Sequence, residues 1–284
     1  MKTDGASADL ATWTARRRAE IDALLDRRLP GGDSDGDPGR LRESIRYSLL
    51  APGKRLRPLL ALAAAETVAG AADEPMRVAC ASVELVHCYS LIHDDLPAMD
   101  DDDFRRGRPS NHKAFSEATA ILAGDALLTL AFEWIAEAGL RAGRPADFLR
   151  ASLALAQGAG MGGMVRGQAR DLGEAVPTTL GDLERLHDEK TAALFRAALE
   201  IGAAVAGADE AQRAALARFG QRYGVAFQHA DDLDDADHVS FAGAARDRLH
   251  QHIADAVTAL APFGARADRL RAFAQALLQK VAAP

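Results

Sequence analysis

Leu91 to Arg108 reads LIHDDLPAMDDDDFRRGR. Six aspartates fall within ten positions: Asp94, Asp95, Asp100, Asp101, Asp102 and Asp103. Arg105 and Arg106 follow at once, and an apolar run precedes, so the acidic block grows out of a core helix. Carboxylates crowded this way repel by about 1 kcal/mol per pair at 4 Å in water and about 4 kcal/mol near a protein surface. A solvated acidic loop is the plain reading of one such run. A folded site would hold the carboxylates together only with cations between them. Hard oxygen donors suit Mg²⁺, which keeps positions for water and phosphate.

A second block lies further along, in Phe227 to Asp237, FQHADDLDDAD. On a helix Asp231 and Asp235 are four apart and share a face, with Asp232 beside them. Two acidic clusters, each entered from an apolar helix, suggest two walls of one metal site that clamps an anionic substrate, with phosphate the natural ligand. Lys54, Arg55 and Arg57 lie near a helix start after the Ala51-Pro52-Gly53 break, where free backbone N–H groups also favour an anion. A surface basic turn is the competing reading of those cations.

These stretches together resemble the trans-isoprenyl diphosphate synthases, or polyprenyl synthetases. The first block matches their first aspartate motif in its longer form, DDxxxxD (Asp94, Asp95, Asp100), followed by the RRG of Arg105 to Gly107. The second matches FQxxDDxxD (Phe227, Gln228, Asp231, Asp232, Asp235). GKRLRP at Gly53 to Pro58, GQARDL at Gly167 to Leu172 and KTAALF at Lys190 to Phe195 fall in the family's order. The resemblance implies an all-α isoprenoid synthase bundle of ten or more helices around a central cavity, built as a homodimer. It implies that Asp94, Asp95, Asp100, Asp231, Asp232 and Asp235 hold Mg²⁺, more than one ion. It assigns Lys54, Arg57, His87 and Arg106 to isopentenyl diphosphate, and Arg105, Lys190, Thr191 and Gln228 to the site of an allylic diphosphate such as dimethylallyl or geranyl diphosphate. Gln168 and Asp171 are placed near the cavity.

In that family the residues four and five before the first aspartate, here Ser90 and Tyr89, set the depth of the product pocket. An aromatic floor and the longer motif resemble the bacterial farnesyl diphosphate synthases. Plain core packing is the other reading of Tyr89, and geranylgeranyl diphosphate stays open as product. A terpene cyclase would carry an (N/D)DxxSxxxE motif, and Asp235 stands where its Ser or Thr would be. A purely structural helical scaffold has no use for two matched aspartate clusters. The chain departs from the family after the second block: no lysine falls between Lys190 and Lys280. The family's lysine-bearing loop is shortened or rebuilt, with Arg246 or Arg248 as candidate substitutes, though Arg and Lys are not interchangeable. A weakly active or non-catalytic homologue is therefore an alternative reading.

Composition agrees with a helical enzyme. The 284 residues are 48% hydrophobic and only 5% aromatic, enough for one large alanine-rich helical domain over 1–284, divergent from about residue 238. The net charge of −7 and the lack of a basic patch argue against nucleic acid. Cys80 and Cys88 read as buried free thiols of a cytoplasmic protein. No run reaches the 18 uncharged apolar residues of a membrane span. Helices are expected over Ala8 to Arg28, Leu41 to Leu50, the stretch up to Ala69, Pro75 to Ile92, Ala118 to Ala138 (interrupted at Gly124-Asp125), Ala146 to Gly158, a stretch from the Thr179 or Asp182 cap through Lys190 and Thr191 to Ala206, and Asp209 to Ala230. Pro97 should force Asp100 to approach through a turn, and Thr179 or Asp182 should cap the helix that carries Lys190.

Overall fold

The computed structural model describes residues 3–29, 36–173, 177–235 and 241–282, with side chains left undescribed at 3–8, 235, 242 and 282. The described chain is all-α. Its helices are α1 (Thr3–Arg28), α2 (Leu41–Leu49), α3 (Leu56–Ala69), α4 (Glu74–Asp94), α5 (Asn111–Ala114), α6 (Glu117–Ala142), α7 (Pro145–Ala159), α8 (Met164–Gly173), α9 (Leu180–His187), α10 (Ala193–Val205), α11 (Glu210–Asp235), α12 (Ala242–Ala259) and α13 (Asp268–Ala282). Helix α4 packs along α6, α10 lies between α3, α7 and α11, and α12 covers α11. One connected core runs from Trp13 to Leu277. Alanines dominate its contacts, so backbones approach closely and the long helices stack with little side-chain bulk between them.

Local chemistry fixes the ends. Asp73 accepts a hydrogen bond from the Met76 amide at 2.9 Å to start α4, Ser116 accepts from Thr119 at 3.1 Å to start α6, and Thr179 accepts from Asp182 at 3.1 Å to start α9. Helix α4 stops at Asp94, and the chain turns through Pro97 so that the Asp100 amide donates to the Asp94 carbonyl at 2.8 Å.

Two expectations need correction. Gly124 does not interrupt α6, which is continuous. A Cβ there would stand 2.1 Å from His93 Nε2, so the glycine lets α6 lie against α4. Lys190 and Thr191 do not lie in one unbroken α-helix. They sit in a π-helical turn over Asp188–Ala192 that joins α9 to α10. Helix α6 is long and apolar enough to cross a membrane by length and composition, though Asp125 and Glu133 keep any uncharged run in it short of 18 residues. It packs on α4 and α7 with Leu127, Ala131, Trp134 and Ile135 buried, as a bundle helix does.

Arg105 lies on the single strand pairing among the described residues, β1 (Phe104–Arg105) against β2 (Arg108–Pro109), antiparallel with Arg105 opposite Arg108. The connecting residues Arg106 (φ 54°) and Gly107 (φ 73°) are both left-handed. That is the signature of a type I′ hairpin turn, whose twist matches the flanking strands.

Candidate active site

A cavity of about 820 Å³ opens between α3, α4, α8, α11 and the π-turn. Asp94 comes from the end of α4, and Asp231 from the last turns of α11. Lys54, Arg57, His87, Arg106, Lys190, Thr191, Gln228, Tyr89 and Ser90 line the same cavity. One aspartate of each motif and most of the expected anion binders thus share one space.

The carboxylates do not all face it. Burial, first of all, pushes the Asp94 carboxyl up to about 6; Lys190 pulls it down, and neighbouring Asp100 pushes it up again. Asp100 sits against Asp94 through the backbone bond of the turn. Asp95 is buried on the far side of α4's end, in a smaller pocket, where Arg105 Nε and Nη2 donate to its Oδ1 at 2.9 and 2.5 Å. Arg105 also donates to Asp102 at 2.9 Å. The guanidinium assigned to an allylic diphosphate is therefore engaged with two carboxylates. Asp232, 6% exposed, turns from the cavity toward α9: Gln228 Nε2 donates to its Oδ1 at 2.9 Å, and His187 Nε2 lies 3.0 Å from its Oδ2. The Asp235 side chain lies outside the described residues.

The cations are held in unequal ways. Arg55 starts α3 from a left-handed backbone (φ 50°) and is consumed by the fold, donating to Asp22, Glu84 and the carbonyls of Leu49 and Ala51 at 2.8–2.9 Å. Arg57, two residues on, lies over the Phe195 ring at 4.6 Å with no hydrogen bond from its Nε. Burial pulls its pKa down to about 10. Arg106 reaches back across the hairpin turn to the Pro52 carbonyl at 3.3 Å. Burial, then the positive charges of Arg57 and Arg106, push His87 well below its ordinary value. A buried guanidinium at Arg57, a second at Arg106 and an imidazole kept neutral between them leave a positive potential that an anion would relieve. Lys190 pairs with Asp171. The Thr191 hydroxyl donates to Gln228 at 2.9 Å, orienting the amide that in turn holds Asp232. Gln168 lines the cavity with neither amide atom hydrogen-bonded.

Arg248 does not replace the absent lysine, because it is bound to Glu184 at 2.6 and 2.8 Å. A lysine that sequence reasoning passed over does arrive. Lys280, near the end of α13, lies 3.7 Å from Asp231 and pairs with Asp234. The only signal for it was its position as the sole lysine after Lys190. Cys80 and Cys88 are free and buried, as expected.

The family model described as polyprenyl synthetase matches residues 38–240. The chain is 47% identical over 199 residues to a farnesyl diphosphate synthase of Geobacillus stearothermophilus, a stretch covering 70% of this chain and 67% of that one. It is 44% identical over 233 residues to a chloroplastic geranylgeranyl pyrophosphate synthase of Arabidopsis thaliana, covering 80% of this chain and 63% of that one, so the match spans less than two thirds of the plant relative's length. Among solved structures it is similar to a FPP/GFPP synthase from Zymomonas mobilis, with a TM-score of 0.88 and 39% identity over 96% of this chain and 99% of that one. A geranyltransferase from Legionella pneumophila gives a TM-score of 0.83 and 32% identity over 99% of each chain.

Proposed function

The chain belongs to the polyprenyl synthetase family, and from that premise we propose that it condenses isopentenyl diphosphate with an allylic diphosphate, dimethylallyl or geranyl, to give farnesyl diphosphate. One observation carries the reading. A single cavity joins carboxylates at Asp94 and Asp231 to the cations Lys54, Arg57, Arg106 and Lys190, above an apolar wall that includes Tyr89, Met164 and Leu172. A lipid chain with an anionic head needs that combination.

The donor set fits Mg²⁺: all-carboxylate oxygen, with the Asp94 carboxyl lifted by burial and by its acidic neighbour, a cost that a hard cation removes. Asp94, Asp100 and Asp231 would hold it. When bound, Mg²⁺ supplies Lewis-acid neutralisation of the charge that develops as diphosphate departs. Asp95 and Asp232 serve the same motifs from behind, by fixing Arg105 and Gln228. Lys190 adds positive charge at the allylic diphosphate. Arg57, His87, Arg106 and Lys54 hold isopentenyl diphosphate so that its double bond meets the allylic carbon, and the apolar wall of the cavity keeps water from capturing the cation. Proton loss from the new carbon–carbon unit, to the departing diphosphate, completes the condensation. No nucleophilic side chain is needed.

The C15 assignment rests on Tyr89. It stands five residues before Asp94, about 7.5 Å deeper along α4, lines the cavity and is only 8% exposed. Geranylgeranyl diphosphate is the second reading, favoured by the plant relative's name. The free, buried thiols support a cytoplasmic setting. The test is an incubation with isopentenyl diphosphate, Mg²⁺ and allylic primers of five, ten and fifteen carbons, with a chelator control. Metal-dependent C15 product is expected. A C20 product would keep the chemistry and reject the Tyr89 floor. No elongation by folded protein that binds diphosphate would leave the non-catalytic homologue.

A further inference from the structure

Behind the second aspartate motif, away from the cavity, three histidines and two carboxylates meet where α9, α11 and α12 pack. His187 ends α9, and His229 and Asp232 lie three residues apart on one face of α11. All three are buried, with His229 fully enclosed. The His187 and His229 rings meet edge to face, 4.9 Å between centroids. Neither ring nitrogen of His229 makes a hydrogen bond, nor does His187 Nδ1. Unsatisfied polar atoms in such a place are destabilising, and nothing in the chemistry described above uses them.

We propose that His187, His229 and Asp232 form a site for a transition-metal dication, Zn²⁺ by donor chemistry, separate from the Mg²⁺ carboxylates at the cavity. One donor atom from each of the three residues lies within 4.8 Å of the other two. His187 Nε2 and Asp232 Oδ2 are 3.0 Å apart. Donors around tetrahedral Zn²⁺, with bonds of about 2.0–2.1 Å, stand about 3.3 Å from one another, so small side-chain shifts close the shell. Two imidazoles and one carboxylate select Zn²⁺ or a neighbouring transition ion over Mg²⁺.

The surroundings are those of a ligand shell. Gln228 fixes the other oxygen of Asp232 at 2.9 Å. Ligating histidines ordinarily give their second nitrogen to a carboxylate, and Glu184 Oε1 lies 3.5 Å from His229 Nε2. Glu184 is itself held by Arg248 at 2.6 Å and His252 at 3.1 Å. The overlapping set Glu184, His229 and His252 is the poorer cage, because the Arg248 guanidinium already neutralises its carboxylate. A metal at His187, His229 and Asp232 would tie α9 to α11 one residue from Asp231. It would thereby set the second motif through a lock independent of substrate.

The test reads metal, not turnover. Protein from zinc-supplemented culture, passed over a chelating resin, is expected to keep one zinc per chain by mass-spectrometric metal analysis. Co²⁺ in its place should give the visible d–d absorption of a low-coordinate nitrogen–oxygen site. His229→Gln should lose both signals, while Asp94→Asn, at the cavity, keeps both. Far-UV circular dichroism checks folding, and His187→Gln carries the same test if His229→Gln does not fold. Wild-type protein that neither retains zinc nor binds Co²⁺ at micromolar concentration overturns the proposal. So does metal that is lost in Asp94→Asn and kept in His229→Gln, which would belong to the substrate aspartates.

Discussion

Burial and the guanidiniums of Arg57 and Arg106 hold the His87 imidazole well below its ordinary pKa of 6.5. The sign follows directly. A histidine kept neutral in the fold costs stability as pH falls below 6.5, because the unfolded chain then binds the extra proton. A diphosphate arriving beside Arg57 reverses the local potential and raises the same pKa, so binding should take up protons near neutral pH. Calorimetry of isopentenyl diphosphate in buffers of different ionisation enthalpy should show that uptake, and His87→Gln should reduce it; equal uptake in both proteins would refute the role. Lys280 gives a second residue-level test. It lies beside Asp231 and pairs with Asp234, with 40% of its side chain exposed. Such partly exposed pairs are worth about 0.2–1 kcal/mol. Lys280→Ala should therefore lower the Mg²⁺ concentration for half-maximal activity by at most about fivefold, since a competing ammonium is gone. An unchanged or higher Mg²⁺ requirement would mean that Lys280 does not compete for Asp231. At this scale the sequence was a good guide to which residue types gather and a poor one to where each points. Asp94 and Asp95 are neighbours in sequence, yet helical rotation sends one to the cavity and the other to Arg105. A motif written as DD cannot carry that difference.

Elements were legible where a local rule dominates. The Pro97 break, the Thr179 cap and the apolar runs of α4 and α10 all follow from one residue's chemistry or from period. The type I′ hairpin was not foreseen, because Arg-Arg-Gly-Arg looks like charge balance until two strands of two residues each close around it. The π-turn at Lys190 was equally hidden, since an extra residue in a helical turn leaves no compositional mark. The hairpin predicts its own dependence on glycine. Gly107 has φ 73°, and a side chain there costs about 1–2 kcal/mol. Gly107→Val should lower the melting temperature by several degrees and weaken isopentenyl diphosphate binding by displacing Arg106. A variant with wild-type binding would show that the turn does not position that arginine. Helix α4 makes a separate prediction. If Tyr89 closes the pocket, Tyr89→Ala should lengthen the product by at least one five-carbon unit in a chromatographic assay of dephosphorylated alcohols. Unaltered chain length would return Tyr89 to core packing.

For the whole molecule, composition and motif order foretold an all-α bundle around a central cavity, and Ala118 to Ala138 read as too apolar for a monomer surface, but neither told which side chains form the outer face. Helices α6 and α7 carry Leu122 (56% exposed), Leu149 (71%) and Leu153 (57%), with Ile121 and Leu140 also exposed. Leu149 and Leu153 are four apart and share one face of α7. Single exposed apolar residues need no explanation, but several large ones on two packed helices do. The same chain already buries a core from Trp13 to Leu277, so these leucines are not short of an interior to enter. A second copy of the chain is the partner we propose for this face, in keeping with the homodimer expected from the family resemblance. Light scattering coupled to size exclusion should give twice the chain mass for the wild type. The pair Leu149→Glu and Leu153→Glu places charge in the face without touching the cavity, and should yield a folded species of single mass. A wild type that elutes as a monomer at micromolar concentration would refute the dimer. A charged pair that stays dimeric would move the interface elsewhere, onto a surface with fewer apolar side chains and a weaker hydrophobic drive to associate.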